Sequence, residues 1–225
     1  MANDTLSLLG CLSAPAGRDK TVRLLHHLAH FYSWYLVLSN GSPSSTAACT
    51  LAQKHTAISL KVLRFGSFVF PLKAAVDTAS NAKGLAPILR YATIGKHLGI
   101  AGYLALDMAT LLDLTDIRKW DKAATIQREA FRFWATSVLF SIVEQLYTLR
   151  RLSLIKIDKG EGEGAVEAKR ISRQRSIAKR QLVCDLCDII VSNAAMGSIT
   201  LNGGLVGLLG ACSCALNIYG QWKEV

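Results

Sequence analysis

Thirty-four consecutive residues, Ile189 through Trp222, contain no Asp, Glu, Lys, Arg or His. No other feature of the chain limits its fold as strongly. A spanning helix needs about 20 apolar residues, and Met196 to Tyr219 supplies them. Gly203, Gly207 and Gly210, with Gly204 and Ala211, are small residues at helical spacing. They allow two helix backbones to approach closely, which is how helices associate where lipid removes the hydrophobic drive. Asn202 and Gly203-Gly204 lower helix propensity at the entry and predict a break there.

A second greasy run, Phe133 to Leu149, lies between Arg132 and Arg150-Arg151 and carries Glu144 inside it. It is the weaker transmembrane candidate, because an intramembrane carboxylate needs a partner or a wet face. Gly99 to Leu112 is shorter still and contains Asp107. Between the two candidate spans, residues 150–188 read as a charged flexible loop, with Gly160-Glu161-Gly162-Glu163-Gly164, leading into a basic helix. Lys and Arg occur on both sides of the spans, so charge does not fix topology.

Composition agrees with a membrane setting. Hydrophobic residues make up 51% of the 225 residues, charged ones only 19%, yet the net charge is +10. Greasy and basic together point to an anionic membrane surface rather than to nucleic acid. The six cysteines read as reduced and structural, and Leu6 to Leu12 lacks the basic n-region of a secretory signal.

In the N-terminal region, 1–132, Gly17-Arg18-Asp19-Lys20 opens a helix with a wide apolar face, ended by Asn40-Gly41-Ser42-Pro43. A second helix is expected from Thr46 to about Thr56. Ile58, Val62, Phe65, Val69, Leu72 and Val76 then repeat at alternating four- and three-residue steps, which puts all six on one helical stripe within about residues 57–79. Lys61, Arg64 and Lys73 flank it. Two readings fit: an interfacial helix that buries the stripe in the acyl boundary while its cations reach phosphates, or a core-facing helix with a solvated basic side. Pro71 disturbs either one by removing a backbone bond.

No catalytic constellation emerges. His26, His27 and His30 lack the further ligands of a metal set, Cys184-Asp185-Leu186-Cys187 sits in an amphipathic helical pattern, and the glycine clusters match no nucleotide fingerprint. No cofactor and no enzyme activity are expected. The fold class is all-α: a membrane-associated helical bundle with an amphipathic interfacial helix and one or two transmembrane helices, the C-terminal one within 189–225.

Gly17-Arg18-Asp19-Lys20, Lys61-Val62-Leu63-Arg64-Phe65-Gly66, Leu89-Arg90-Tyr91, Gly102-Tyr103-Leu104-Ala105-Leu106-Asp107 and Leu146-Tyr147-Thr148-Leu149 occur in this order. With Lys159 to Gly164, Asp185-Leu186-Cys187-Asp188 and Tyr219-Gly220-Gln221-Trp222, the series resembles the peroxin eleven family of peroxisomal membrane proliferation proteins, most of all its filamentous-fungal members. The resemblance implies a protein of the peroxisomal membrane that elongates the organelle before fission. It also implies an N-terminal amphipathic helix in the cytosolic leaflet, self-association into homo-oligomers, and cooperation with dynamin-related fission machinery. Carried onto this chain, the inserting helix is the Ile58 to Val76 stripe, with Lys61, Arg64 and Lys73 contacting anionic lipid. Phe70-Pro71 departs from the unbroken helix usual in the family. A metabolite pore, with Asp107, Glu144 and the glycine-lined C-terminal helix facing water, is the alternative function.

Overall fold

The computed structural model describes residues 15–81, 84, 86–155 and 163–222. All regular structure among them is helical: α1 Pro15–Leu38, α2 Pro43–Leu63, α3 Val69–Ser80, α4 Pro87–Ala109, the single turn α5 Leu111–Leu114, α6 Ala123–Leu154, α7 Glu163–Met196 and α8 Gly203–Trp222. The expected loop at 160–164 lies largely outside the described residues.

The helix ends follow local chemistry. Ser42 caps α2 by accepting from the Ser45 amide at 3.2 Å, and Pro43 follows at the first helical position, where its missing N–H costs nothing. The second helix therefore runs from Pro43 to Leu63, longer at both ends than the expected Thr46 to Thr56. Asn202 caps α8, its Oδ1 accepting from the Leu205 amide at 2.8 Å. Gly197, at φ 76, ends α7. The uncharged stretch from Ile189 is thus the last turns of α7, a connection at 197–202, and then α8, rather than one helix from Met196. The expected divisions after 132 and 188 both fall inside continuous helices, α6 and α7.

Neighbouring helices follow the order α3, α4, α6, α7, α8, α1, α2, and the short α2–α3 connection closes this circuit. Glycines set the tightest approaches. A Cβ on Gly99 of α4 would lie 2.8 Å from the Ser137 Cβ of α6, and one on Gly207 of α8 would lie 2.6 Å from the Phe31 backbone nitrogen of α1. Trp134, Val138 and Val191 form the buried centre, with Ile100, Tyr103, Phe131 and Val206 packed against it.

Candidate membrane-contact site

The stripe that reads as one helix is split. Residues 64–68 form a turn in which the Phe65, Ser67 and Val69 amides bond three residues back. Gly66 sits at φ 72, a left-handed conformation that side chains resist. Pro71 falls in the first turn of α3, where no intrahelical partner is lost, so it starts a helix instead of kinking one. Ile58 and Val62 belong to α2, Phe65 to the turn, and Val69, Leu72 and Val76 to α3. This corrects the single helix over 57–79.

Two of the three flanking cations turn inward. The Lys61 ammonium donates to Asp107 Oδ1 at 2.7 Å, the Asp107 carbonyl at 2.8 Å, and Thr110 Oγ1 and Gln127 Oε1, each at 2.7 Å. Lys61 and Asp107 are both buried, and burial holds the Lys61 pKa below the usual lysine range. Arg64 makes a two-pronged pair with Asp19 of α1, with Nη2 to Oδ2 at 3.0 Å, and its Nη1 donates to the Tyr103 hydroxyl at 3.1 Å. In this fold, Lys61 and Arg64 meet carboxylates rather than lipid phosphate. The cause is tertiary: isolated, both would sit on the polar flank of an amphipathic helix, but α1 and α4 bring acids against that flank. These ion pairs also draw the end of α2 into the bundle, which requires the chain to bend before α3. Only Lys73 of the three remains exposed.

The apolar side chains face the other way. Val62, Leu63, Phe65, Val69, Phe70, Leu72 and Val76 are between 44% and 76% exposed, an unpartnered apolar surface that wraps the α2–α3 elbow. Ile58 is half-buried, while Ala75 on the opposite side of α3 is buried against α4. Sequence reasoning found these apolar residues but missed Asp19, Thr110 and Gln127, which decide where the cations go. The one available hint was Asp107, a carboxylate in an otherwise greasy helix.

Other polar residues of the greasy segments are also paired. Glu144 of α6 forms an ion pair with Lys96 of α4. The glycine face of α8 is covered by α1, with Gly207 against Phe31 and Gly210 against the His27 ring. Gly203 lies near His30. Among the described helices, α8 alone is long and apolar enough to cross a bilayer, with mean hydropathy 1.4. Among the described residues no group of three or more His, Cys, Asp or Glu is placed to hold a metal ion. Burial pushes the Cys184 thiol up to about 12, away from the thiolate that redox chemistry uses.

The family model for peroxisomal biogenesis factor 11 (PEX11) matches residues 7–222. The chain belongs to the PEX11 family. The peroxisomal membrane protein PMP30A of Candida boidinii is 25% identical, with 96% of this chain and 93% of that protein covered. The peroxisomal membrane protein PMP27 of Saccharomyces cerevisiae is also 25% identical, with 94% and 92% covered. Peroxisomal biogenesis factor 11 of Schizosaccharomyces pombe is 22% identical, with 96% and 93% covered. These relatives are from yeasts, whereas the resemblance in the sequence pointed towards filamentous fungi. No solved structure matches. As a PEX11 member the chain is a protein of the peroxisomal membrane with a role in peroxisome biogenesis and proliferation, and the family is not an enzyme family.

Proposed function

We propose that this PEX11 protein elongates the peroxisomal membrane by inserting the apolar α2–α3 elbow into one leaflet, with copies of the chain concentrating that effect by self-association. The exposed run of Val62, Leu63, Phe65, Val69, Phe70, Leu72 and Val76 carries this reading, since seven apolar side chains around one bend are between 44% and 76% exposed. A surface of this kind inserted to a shallow depth expands one leaflet relative to the other and so favours a tubule. Lys73 at its edge supplies attraction to anionic headgroups, worth about 1 kcal/mol near the surface. The bend makes the inserted body a two-armed wedge instead of a rod. Anchoring falls to α8, and handover to dynamin-related fission machinery follows elongation.

The pore alternative loses the features that suggested it. Asp107 and Glu144 are neutralised by Lys61 and Lys96, and the glycine side of α8 is filled by α1.

The test replaces Phe65, Val69 and Phe70 with serine in the full-length protein. The variant should stay in the membrane pellet after alkaline carbonate washing, through α8. It should fail to tubulate liposomes or lengthen peroxisomes, because each exposed Phe loses a substantial part of the roughly 1.5–3 kcal/mol that full burial supplies. Normal tubulation by a variant that remains membrane-bound removes the elbow from the mechanism.

A further inference from the structure

The helices border a half-open cavity of about 700 Å³, lined from α1, α2, α4, α5, α6, α7, α8 and the α7–α8 connection. That volume is in the range of sites for ligands of several hundred daltons, roughly 300–1,000 Å³. The walls are predominantly apolar, with Leu60, Phe131, Trp134, Val191, Ala194 and Val206 among them. Arg23, His26, His27 and His30 of α1 line one side, and Lys61, Tyr103, Asp107 and Gln127 supply polar groups on other walls. Seven residues of helix separate Arg23 from His30, about 10 Å along the axis. His30 lies by Gly203, close to the exposed connection of Ile199, Thr200 and Leu201, which also borders the cavity. Arg23 lies at the other end, over the Trp134 ring at 4.6 Å. The space therefore opens near the α7–α8 connection and ends at a guanidinium.

Two of these polar groups keep hydrogen-bonding capacity unused: His27 is buried, and the Arg23 side chain is 23% exposed. Among the described residues, the Arg23 guanidinium makes one hydrogen bond, Nη2 to Asp188 Oδ1 at 3.4 Å, although it carries five N–H donors. His27 is only 7% exposed and its Nδ1 has no hydrogen-bond partner. Charge is also unbalanced around Arg23. Lys20, Arg23, Lys61 and Arg64 act there against Asp19, Asp107 and Asp188, four cations against three carboxylates. Lys61, by contrast, is saturated by Asp107, Thr110 and Gln127.

We propose that this cavity is a binding site for a single-chain anionic amphiphile, its carboxylate or phosphate head against Arg23 and its hydrocarbon chain along Trp134, Val191, Ala194 and Val206. A bidentate anion completes the unused guanidinium donors and neutralises the surplus charge. The chain fills apolar space that water occupies poorly. His27 adds a neutral hydrogen-bonding edge to the polar side. This site is separate from the elbow, and its occupancy is independent of whether the elbow reshapes membranes.

The experiment uses full-length protein in nanodiscs of zwitterionic phosphatidylcholine, labelled by a photoreactive sixteen-carbon fatty acid and mapped by peptide mass spectrometry. Adducts are expected at Val191–Ala195 and Gly203–Val206. Palmitate or palmitoyl lysophosphatidate should displace the label at concentrations at least tenfold lower than hexadecanol. Whichever of the two is stronger identifies the head as carboxylate or phosphate. Inorganic phosphate should not compete, because it lacks the chain. Arg23→Gln should abolish the tenfold preference for anions, and Ala194→Phe should reduce cavity labelling several-fold by filling the space. If Arg23→Gln does not fold, Ala194→Phe decides the matter. Equal competition by hexadecanol and palmitate in the wild type overturns the proposal. So does labelling confined to Val62–Val76, or cavity labelling unchanged by Ala194→Phe.

Discussion

Replacing Lys61 with methionine separates the two roles this residue can have. In the structure its ammonium is enclosed by four acceptors from Asp107, Thr110 and Gln127, and the side chains of Lys61 and Asp107 are each 9% exposed. Methionine fills much of the volume but removes all four bonds. The Asp107 carboxylate would keep only the Gln127 side-chain amide, at 2.9 Å. Breaking a buried pair by removing one partner costs about 3–5 kcal/mol, because the other charge stays buried and uncompensated. Replacing both partners with apolar residues of similar size is often close to neutral. Lys61→Met should therefore lower stability by about 3–5 kcal/mol, and Asp107→Leu in that background should restore most of it. The assay is unfolding of the full-length protein in mild detergent, followed by tryptophan fluorescence. An interfacial lysine gives the opposite pattern: stability within about 0.5 kcal/mol of wild type and weaker binding to anionic vesicles. That result would show that Lys61 reaches lipid and that the inward ion pair is not its role.

Gly207→Leu should force α8 away from α1, since even a Cβ there would lie 2.6 Å from the Phe31 nitrogen. Overpacking of this kind costs about 1–3 kcal/mol, read as a lower melting point and earlier proteolysis at 197–202. An unchanged melting point would place that glycine outside the contact. Stability should also fall as pH drops. Burial, with Arg23 nearby, lowers the His27 pKa from 6.5 to about 3, so the unfolded chain takes up a proton in this interval that the folded one does not. The contribution is fully present above about pH 6.5 and is lost progressively on acidification, by about 2 kcal/mol at pH 5. Melting points compared at pH 7 and pH 5 check this, and His27→Gln should flatten the difference; an equal fall in that variant would assign the effect elsewhere.

Much of the helical plan was legible because it is local. The stop of the first helix at Asn40-Gly41 and the break at Asn202-Gly203 are signals within a few residues of the ends they set, whereas the Ser42 cap at the start of α2 and the Gly197 stop of α7 emerged only from the structure. The apolar residues of the elbow were equally visible, since periodicity reports which side chains share a face. What periodicity could not report is what lies opposite that face. Ile58 to Val76 fits a continuous stripe on a helical wheel, yet Gly66 and the inward pull on Lys61 and Arg64 divide it.

The sequence by itself determined an all-helical chain, an uncharged C-terminal segment able to cross a bilayer, an apolar stripe running through residues 58–76, and membership of the PEX11 family. Each follows from composition, short-range spacing or the order of motifs along the chain. Only the tertiary structure decided that Lys61 pairs with Asp107, that Arg64 pairs with Asp19, that the glycines of α8 receive α1, and that a cavity ends at Arg23. Asp107 is 46 residues from Lys61, Asp19 is 45 from Arg64, and Asp188 is 165 from Arg23. An ionic side chain goes to whichever partner desolvation leaves it, and at such separations packing alone selects the partner.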